Sequence, residues 1–191
     1  MLFRSDYIVQ QAVTGMVMWI VSTAALTWFA RTNIMSVIRE TRETLMLAIS
    51  SRSALACIPY AQEALVRMRF QSSPVELMIP LSFTVNRIGS TAYYAVSTLF
   101  IANVYGVDLG LAGLATVLIG SMLAGLASAG STGVLTVATT AVVCDLIGLP
   151  SEAMIVLLIA VDPVMDMIRT STHVYGNLAV ASFVCDKTET V

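Results

Sequence analysis

Long stretches without a charged residue dominate the pattern of hydrophobic and polar positions. Residues 7–30, 88–107 and 109–144 contain no Asp, Glu, Lys or Arg and are 24, 20 and 36 residues long. A helix that spans a bilayer needs about 20 predominantly apolar residues. A core helix of a soluble protein is the alternative for any one stretch, but three stretches in 191 residues favour an all-α membrane protein. Residues 7–30 are predicted to form its first transmembrane helix.

The next segment alternates between short apolar and polar pieces. Residues 44–49 and 54–61 are mostly apolar, and the polar residues 50–53 lie between them. Neither apolar piece can cross a bilayer at a rise of about 1.5 Å per residue. We therefore predict that residues 31–66 form a re-entrant hairpin, in which two half-helices meet at a serine-rich tip. Residues 75–107 are predicted to form a broken transmembrane helix.

The second half of the chain repeats this design. The apolar stretch from residue 109 is too long for one span and contains no polar link where two full spans turn. Its middle, residues 128–133, consists of Gly and small side chains, which break a helix and leave backbone groups free. We predict a second re-entrant hairpin over 109–147 and a transmembrane helix over 151–185. Broken apolar segments at matching positions are typical of an inverted repeat in a transporter, so residues 1–191 are expected to form one such domain.

The composition supports this class and excludes others. The chain is 57% hydrophobic and 12% charged, with a mean hydropathy of +0.84, whereas soluble domains carry about 25% charged residues. It has no run of Lys or Arg suited to nucleic acid, so the expected partner is the lipid bilayer and not a nucleic acid. With one His and three scattered Cys, no metal-ligand cluster or catalytic constellation is visible, and no enzyme is predicted.

Basic residues predict the orientation in the membrane. The links near Asp108 and over 145–152 hold no Lys or Arg. Cytoplasmic links carry an excess of these residues, so the first hairpin is expected to enter from the cytoplasm and the second from outside. The chain is then a multi-pass protein of the cell (inner or plasma) membrane with a cytoplasmic C-terminus. The basic residues on that side are Arg31, Arg39, Arg42, Arg67, Arg69 and Lys187.

Ionisable residues within the predicted spans are the candidates for function, because their insertion costs at least about 2.5–3.5 kcal/mol. Asp166 and Arg169 are three residues apart and share a helical face, which Thr170 and His173 extend. A carboxylate beside a guanidinium can bind a zwitterion, with Asp166 on an ammonium and Arg169 on a carboxylate. An internal salt bridge is the alternative. His173 is either a hydrogen-bonded core residue or a proton relay. The other ionisable residues in these segments are Arg52, Arg87 and Asp162.

Four short motifs are similar to those of one family of membrane carriers. Residues 166–177 read Asp-Met-Ile-Arg-Thr-Ser-Thr-His-Val-Tyr-Gly-Asn, and residues 52–59 read Arg-Ser-Ala-Leu-Ala-Cys-Ile-Pro. Residues 86–90 read Asn-Arg-Ile-Gly-Ser, and residues 129–133 read Ala-Gly-Ser-Thr-Gly. As a set they resemble the dicarboxylate/amino acid:cation symporter family, which includes glutamate and aspartate transporters. The resemblance extends over nearly the whole chain.

The resemblance implies secondary active transport of an acidic amino acid or dicarboxylate by an elevator-type alternating access mechanism. It implies that Asp166 binds a substrate amino group and Arg169 a substrate carboxylate. Thr170 and Ser90 would add hydroxyl contacts, and His173 lies on the same motif. The two hairpin tips would close over this small anionic substrate. The tip residues are Ser53, Ala54, Gly130 and Ser131, and the implied sodium ligands are Asn86 and Asn177.

The chain departs from the family pattern around the ion sites. The central motif is usually Asn-Met-Asp-Gly-Thr, so Arg87 stands in place of Met and Ile88 in place of Asp. The last motif of the family usually ends in Asp, and this chain has Asn177 at that position. The family has Asn at an earlier position of the same motif, and this chain has His173 there. Two carboxylates are thus lost and one positive charge is gained. We expect that sodium is not required at the usual sites, and that Arg87 supplies positive charge instead, in an exchanger or a proton-coupled carrier.

The family also predicts partners. Its members carry additional N-terminal helices that form a scaffold and trimer contacts, and this sequence does not contain them. Either the sequence is a fragment or a truncated gene product, or the scaffold comes from another chain, with a homotrimer or a separate scaffold chain as the expected partner. A truncated, non-transporting membrane subunit for binding or assembly, which keeps the transport-domain fold, is the alternative function.

Overall fold

The computed structural model of the chain describes residues 2–128, 134–150 and 152–187. These residues are almost entirely helical and contain no strand, which confirms the all-α prediction. A single turn of 3-10 helix over Leu55–Cys57 precedes α3. The α-helices are α1 (Leu2–Phe29), α2 (Ile34–Ser51), α3 (Ile58–Arg67), α4 (Ser72–Val85), α5 (Ile88–Val104), α6 (Gly110–Ala127), α7 (Val134–Asp145) and α8 (Glu152–Val184).

Two of the described helices are long and apolar enough to cross a membrane by length and composition. They are Ser5–Phe29 within α1 and Gly110–Ala127, which is α6. Only 17% and 28% of their most apolar windows are buried, whereas the core helix of a soluble protein is mostly buried. Both helices therefore present apolar side chains outward, as lipid contact requires.

Serine side chains form hydrogen bonds to the backbone at the break between α2 and α3. Arg52 ends α2 in the left-handed conformation with φ 52°. The Ser51 hydroxyl donates to the Leu47 carbonyl at 2.7 Å, and the Ser53 N–H donates to Ser51 Oγ at 3.3 Å. Ser53 Oγ in turn accepts the Ala56 N–H at 3.4 Å. The hydroxyl groups thus bind backbone groups that the interrupted helix leaves without partners.

The helices divide into two compact units. Unit 1 comprises residues 1–14 and 87–169, and unit 2 comprises residues 15–86 and 170–191. Helices α1 and α8 each contribute to both. Each unit has its own buried apolar cluster.

Unit 1 combines its apolar core with a buried polar network. Tyr7, Tyr93 and Met165 are among its fully buried side chains. The Gln11 amide in α1 donates to the Tyr93 carbonyl and to Ser97 Oγ in α5, both at 3.2 Å. Tyr7 Oη and Ser97 Oγ are 2.7 Å apart. This network fixes the start of α1 to the middle of α5.

Unit 2 packs α2, α3 and α4 with parts of α1 and α8. Leu26, Leu65, Ile79 and Leu178 are fully buried in its core. At one edge, an isolated antiparallel bridge joins Phe70 to Lys187. This bridge holds the segment after α8 against the turn between α3 and α4.

We expect Ile79→Ala to destabilise unit 2 by about 2–5 kcal/mol, the usual range for removing a buried aliphatic side chain. Leu77→Ala in the same helix is the matched control, because Leu77 is 69% exposed. Thermal unfolding of the purified protein in detergent compares the two variants. Equal loss of stability in both would contradict the assignment of Ile79 to the core.

Candidate functional site

A buried ion pair lies at the centre of the candidate site in unit 1. Asp166 and Arg169 are three residues apart on α8 and are only 4% and 7% exposed. Arg169 Nη2 contacts Asp166 Oδ1 as an ion pair. The internal salt bridge that the spacing allowed is therefore present, and it compensates a guanidinium that stays protonated inside the protein.

The second terminal nitrogen of Arg169 makes no such contact. Arg169 Nη1 is fully buried and has no hydrogen-bond partner among the described residues. A buried donor without a partner costs about 1–3 kcal/mol, and more when the group is charged. A carboxylate oxygen placed against Nη1 would remove that cost, so the arrangement is suited to binding an anion.

Tyr93 is a member of this site that sequence reasoning missed. The Arg169 Cζ atom lies 5.0 Å from the centre of the Tyr93 ring, within cation–π range. The Tyr93 hydroxyl donates to Asp162 Oδ1 at 3.5 Å. Tyrosine in an apolar helix is a sequence signal for a buried polar contact, but it does not say which residue is contacted.

Arg87 lies at the start of α5 and binds neighbouring polar groups. Its Nε donates to the Gly125 carbonyl at 3.3 Å, and its Nη2 donates to Ser90 Oγ at 3.3 Å. A Cβ at residue 125 would lie 2.8 Å from Thr91 Oγ1 and 3.4 Å from Arg87 Cβ. Gly125 therefore permits a close approach of α6 to α5 that a larger residue would prevent. Ser90, expected to contact a substrate, is here a partner of Arg87.

The two candidate sodium ligands bind each other in unit 2. Asn86 Nδ2 donates to Asn177 Oδ1 at 3.2 Å, and Asn177 Nδ2 donates to the Asn86 carbonyl at 3.2 Å. Asn177 Nδ2 also donates to the His173 carbonyl at 2.8 Å. A His173 ring nitrogen lies 3.3 Å from the Phe83 carbonyl, so the histidine is a hydrogen-bonded member of this buried cluster.

This cluster does not fit an ordinary sodium site. A hard cation requires several oxygen ligands directed at one point, and carboxylates strengthen its binding. Here the side-chain oxygen of Asn177 and the carbonyl of Asn86 each face an amide N–H. A positively polarised donor thus faces both of these oxygens. The carboxylates of the family pattern are replaced by Ile88 and Asn177.

The remaining predicted residues are placed as follows. Thr170 is buried at 6% exposure. Ser53 makes hydrogen bonds within its own turn, and Ala54 begins the 3-10 turn. Gly130 and Ser131 lie outside the described residues. Three groups are therefore brought into contact: Asp166 with Arg169, Ser90 with Arg87, and Asn86 with Asn177 and His173.

Comparison with known proteins identifies a family. The family model described as the sodium:dicarboxylate symporter family matches residues 6–187. The chain is 29% identical over 157 residues to a proton/sodium-glutamate symport protein of Geobacillus stearothermophilus, covering 82% of this chain and 37% of that protein. It is 28% identical over 179 residues to a C4-dicarboxylate transport protein of Xylella fastidiosa, covering 93% and 39%.

A third relative, a proton/sodium-glutamate symport protein of Bacillus subtilis, is 31% identical over 150 residues, which is 78% of this chain and 34% of that protein. The alignments thus span less than two fifths of the length of each of these relatives.

Proposed function

The chain belongs to the sodium:dicarboxylate symporter family, and we therefore propose that it is the substrate-carrying part of a secondary transporter for an acidic amino acid or a dicarboxylate. The family resemblance of the four motifs is thereby confirmed. It is a family of membrane transporters, and the relatives are named for glutamate symport and for C4-dicarboxylate transport. The observation that carries the proposal is the buried Arg169, with one terminal nitrogen on Asp166 and the other without a described partner.

Arg169 holds a substrate carboxylate in this proposal. Its Nη1 supplies a charged donor in a buried position, where water does not compete and electrostatic attraction is stronger than in bulk solvent. A charge-assisted hydrogen bond of this kind is about twice as strong as a neutral one. The Tyr93 ring and the Asp166 carboxylate also contact the guanidinium and hold it in place.

Asp166 gives the site its preference between substrates. A bound amino acid brings an ammonium group, which pairs with the Asp166 carboxylate and adds a second positive charge beside it. A plain dicarboxylate brings no such group and places more negative charge near Asp166. We infer that the site prefers an acidic amino acid. Hydroxyl contacts to substrate are assigned by family resemblance to Ser90 and Thr170, with His173 beside them.

The hairpin architecture is part of the same proposal. Residues 31–66 and 109–147 form the two re-entrant hairpins, flanked by the transmembrane segments 7–30, 75–107 and 151–185 in an inverted repeat. The helix breaks at Arg52 and after Val85 support this division. Movement of the whole domain as an elevator then exposes the substrate site alternately to each side. The two tips close over the substrate, with Ser53 and Ala54 in the first and Gly130 and Ser131 in the second, and the second tip acts as the gate.

Partners and location follow from this architecture. The domain is proposed to lie in the cell membrane as a multi-pass protein with a cytoplasmic C-terminus. Its motion requires a fixed scaffold, supplied by further helices of a homotrimer or by a separate chain.

We also infer that ordinary sodium coupling is not used. The Asn86 and Asn177 amides bind each other where the family uses a carboxylate. Arg87 adds a permanent positive charge one residue after Asn86, held by the Gly125 carbonyl and Ser90. The local charge is thus close to that of a cation-loaded site without a cation. Substrate exchange or proton coupling would then take the place of sodium coupling.

A non-transporting subunit for binding or assembly is the second candidate function. The observation that favours it is the internal ion pair, because Asp166 and Arg169 already compensate each other. Such a subunit keeps the helices and loses the requirement for substrate. Substrate uptake into proteoliposomes that contain the purified protein separates the two functions, because only a transporter moves substrate across the membrane.

Arg169→Gln should weaken the binding of both aspartate and succinate by at least about 1.5–3 kcal/mol, the value of a hydrogen bond to a charged group. Calorimetric titration of the purified protein measures the change. Arg39→Gln is the control, since it removes the same charge from a side chain that is 70% exposed. Thermal unfolding checks that the variant is folded. Unchanged affinity for every anionic ligand would refute the role of Arg169.

Asp166→Asn should weaken aspartate binding more than succinate binding, because only aspartate carries an ammonium group. The ratio of the two dissociation constants, before and after substitution, is the measurement. A wild-type protein that prefers succinate to aspartate would show that Asp166 does not recognise an amino group.

Substrate affinity should stay constant when sodium replaces choline at constant ionic strength. The matched variant restores the family residues with Arg87→Met, Ile88→Asp and Asn177→Asp, and its affinity should rise with sodium. The restored carboxylates supply the ligands that a hard cation requires. A steep rise in the wild-type protein would mean that its ion sites are intact and that Arg87 does not replace a cation.

A further inference from the structure

A polar cavity in unit 2 lies at the end of α1, and none of the candidate substrate or sodium residues lines it. Its volume is about 860 Å³, within the range of about 300–1,000 Å³ that small-ligand sites occupy. Residues at the end of α1, the turn between α3 and α4 and the end of α8 form its walls. They include Phe29, Arg31, Phe70, Gln71, Phe183 and Lys187.

Positive charge accumulates at this cavity, and its basic residues form no ion pair with an acidic side chain of the described residues. Arg31 and Lys187 line it, and Arg69 lies close enough to repel Lys187. None of the three forms an ion pair with an acidic residue in the described part of the chain, including Asp186 in the cavity wall. Arg67, by contrast, is within 3.2–3.8 Å of three glutamates.

Backbone and side-chain contacts hold Lys187 in its place. Its backbone pairs with Phe70, and its ammonium lies 5.7 Å from the centre of the Phe70 ring. The Gln71 N–H donates to the Asp186 carbonyl at 3.0 Å. Lys187 Nζ also donates to the Ala30 carbonyl at the end of α1. The cation is therefore positioned before any ligand binds, which reduces the entropy cost of binding.

The cluster would be stabilised by a bound anion. Burial, followed by the charges of Arg31 and then Arg69, lowers the pKa of Lys187. Arg31 and Arg69 both adopt left-handed backbone conformations, with φ 43° and 68°, which cost energy for residues other than glycine. An anion between Arg31 and Lys187 would offset the repulsion between these cations.

An apolar groove adjoins the cavity and shares Arg31 with it. This groove of about 540 Å³ is lined by Ala24, Trp28 and Ile34 among others. Trp28 is 79% exposed at the end of the candidate span Ser5–Phe29. Tryptophan is enriched at the level of lipid headgroups. Arg31 thus lines both a polar cavity and an apolar groove at one end of a candidate membrane span.

We propose that Arg31 and Lys187 bind the phosphate of an anionic phospholipid headgroup in this cavity, while an acyl chain of the same lipid lies in the groove beside Trp28. Free phosphate could bind the same two cations but would leave the groove empty, so we favour a lipid as the source of the phosphate group. This proposal does not rest on substrate binding at Arg169.

The test is a calorimetric titration of the purified full chain in detergent with short-chain dihexanoyl phosphatidylglycerol. Dihexanoyl phosphatidylcholine and inorganic phosphate are the comparison probes. Phosphatidylglycerol should bind at least tenfold more tightly than either. Arg31→Gln and Lys187→Gln should each weaken phosphatidylglycerol binding about fivefold, which is the effect of one basic residue at an anionic surface. Lys187→Arg, which keeps the charge, and the exposed control Arg39→Gln should leave this binding unchanged.

A further variant tests the groove separately. Trp28→Ala should weaken phosphatidylglycerol binding and leave inorganic phosphate binding unchanged. Thermal unfolding identifies any variant that fails to fold, and the Trp28 and Arg31 variants leave the Lys187 bridge intact. Equal affinity for the two lipids, or an equal loss in Arg39→Gln and Lys187→Gln, would overturn the site. Inorganic phosphate that binds as tightly as phosphatidylglycerol would assign the site to a soluble anion and overturn the proposal of a lipid ligand.

Discussion

The charge of Arg169 cannot be removed by deprotonation inside the protein, so the residues around it in unit 1 must compensate it. Asp166 supplies the opposite charge and Tyr93 the ring face. Tyr93 is held in turn by Gln11 through its carbonyl and by Asp162 through its hydroxyl. One buried guanidinium thus connects α1, α5 and α8. The compensation is incomplete at Nη1, and that remaining donor is what makes a structural ion pair into a candidate binding site.

The same need for compensation applies to the residues at the predicted ion sites. In unit 2 the Asn86 side-chain amide donates to the Asn177 side-chain oxygen, and the Asn177 amide donates to the Asn86 backbone carbonyl. In unit 1 Arg87 donates to the Gly125 carbonyl and to Ser90. Where the family pattern has carboxylates, this chain has the apolar Ile88 and the amide Asn177, and where the pattern has Met it has Arg87. These contacts are the basis of our proposal that internal charges of the chain stand in for a coupling ion.

The sequence was sufficient to predict what depends on neighbours along the chain. Uncharged stretches predicted the helical architecture, and residues 7–30 fall almost wholly within α1. The spacing of Asp166 and Arg169 predicted a shared face and left the ion pair open as one of two outcomes. Contacts between distant residues were not predictable: Asn86 and Asn177 are 91 residues apart, and the Gly125 carbonyl that binds Arg87 has no side-chain signal. Tyr93 was missed because its role depends on how α5 packs against α8.

The most direct test is an experimental structure of the purified protein with bound aspartate. The substrate carboxylate should lie within hydrogen-bond distance of Arg169 Nη1, and the amino group should lie beside Asp166. The Asp166–Arg169 contact should persist, because the two terminal nitrogens of the guanidinium serve different partners. Aspartate bound elsewhere, or a saturated complex in which Nη1 still has no partner, would contradict the role proposed for this ion pair.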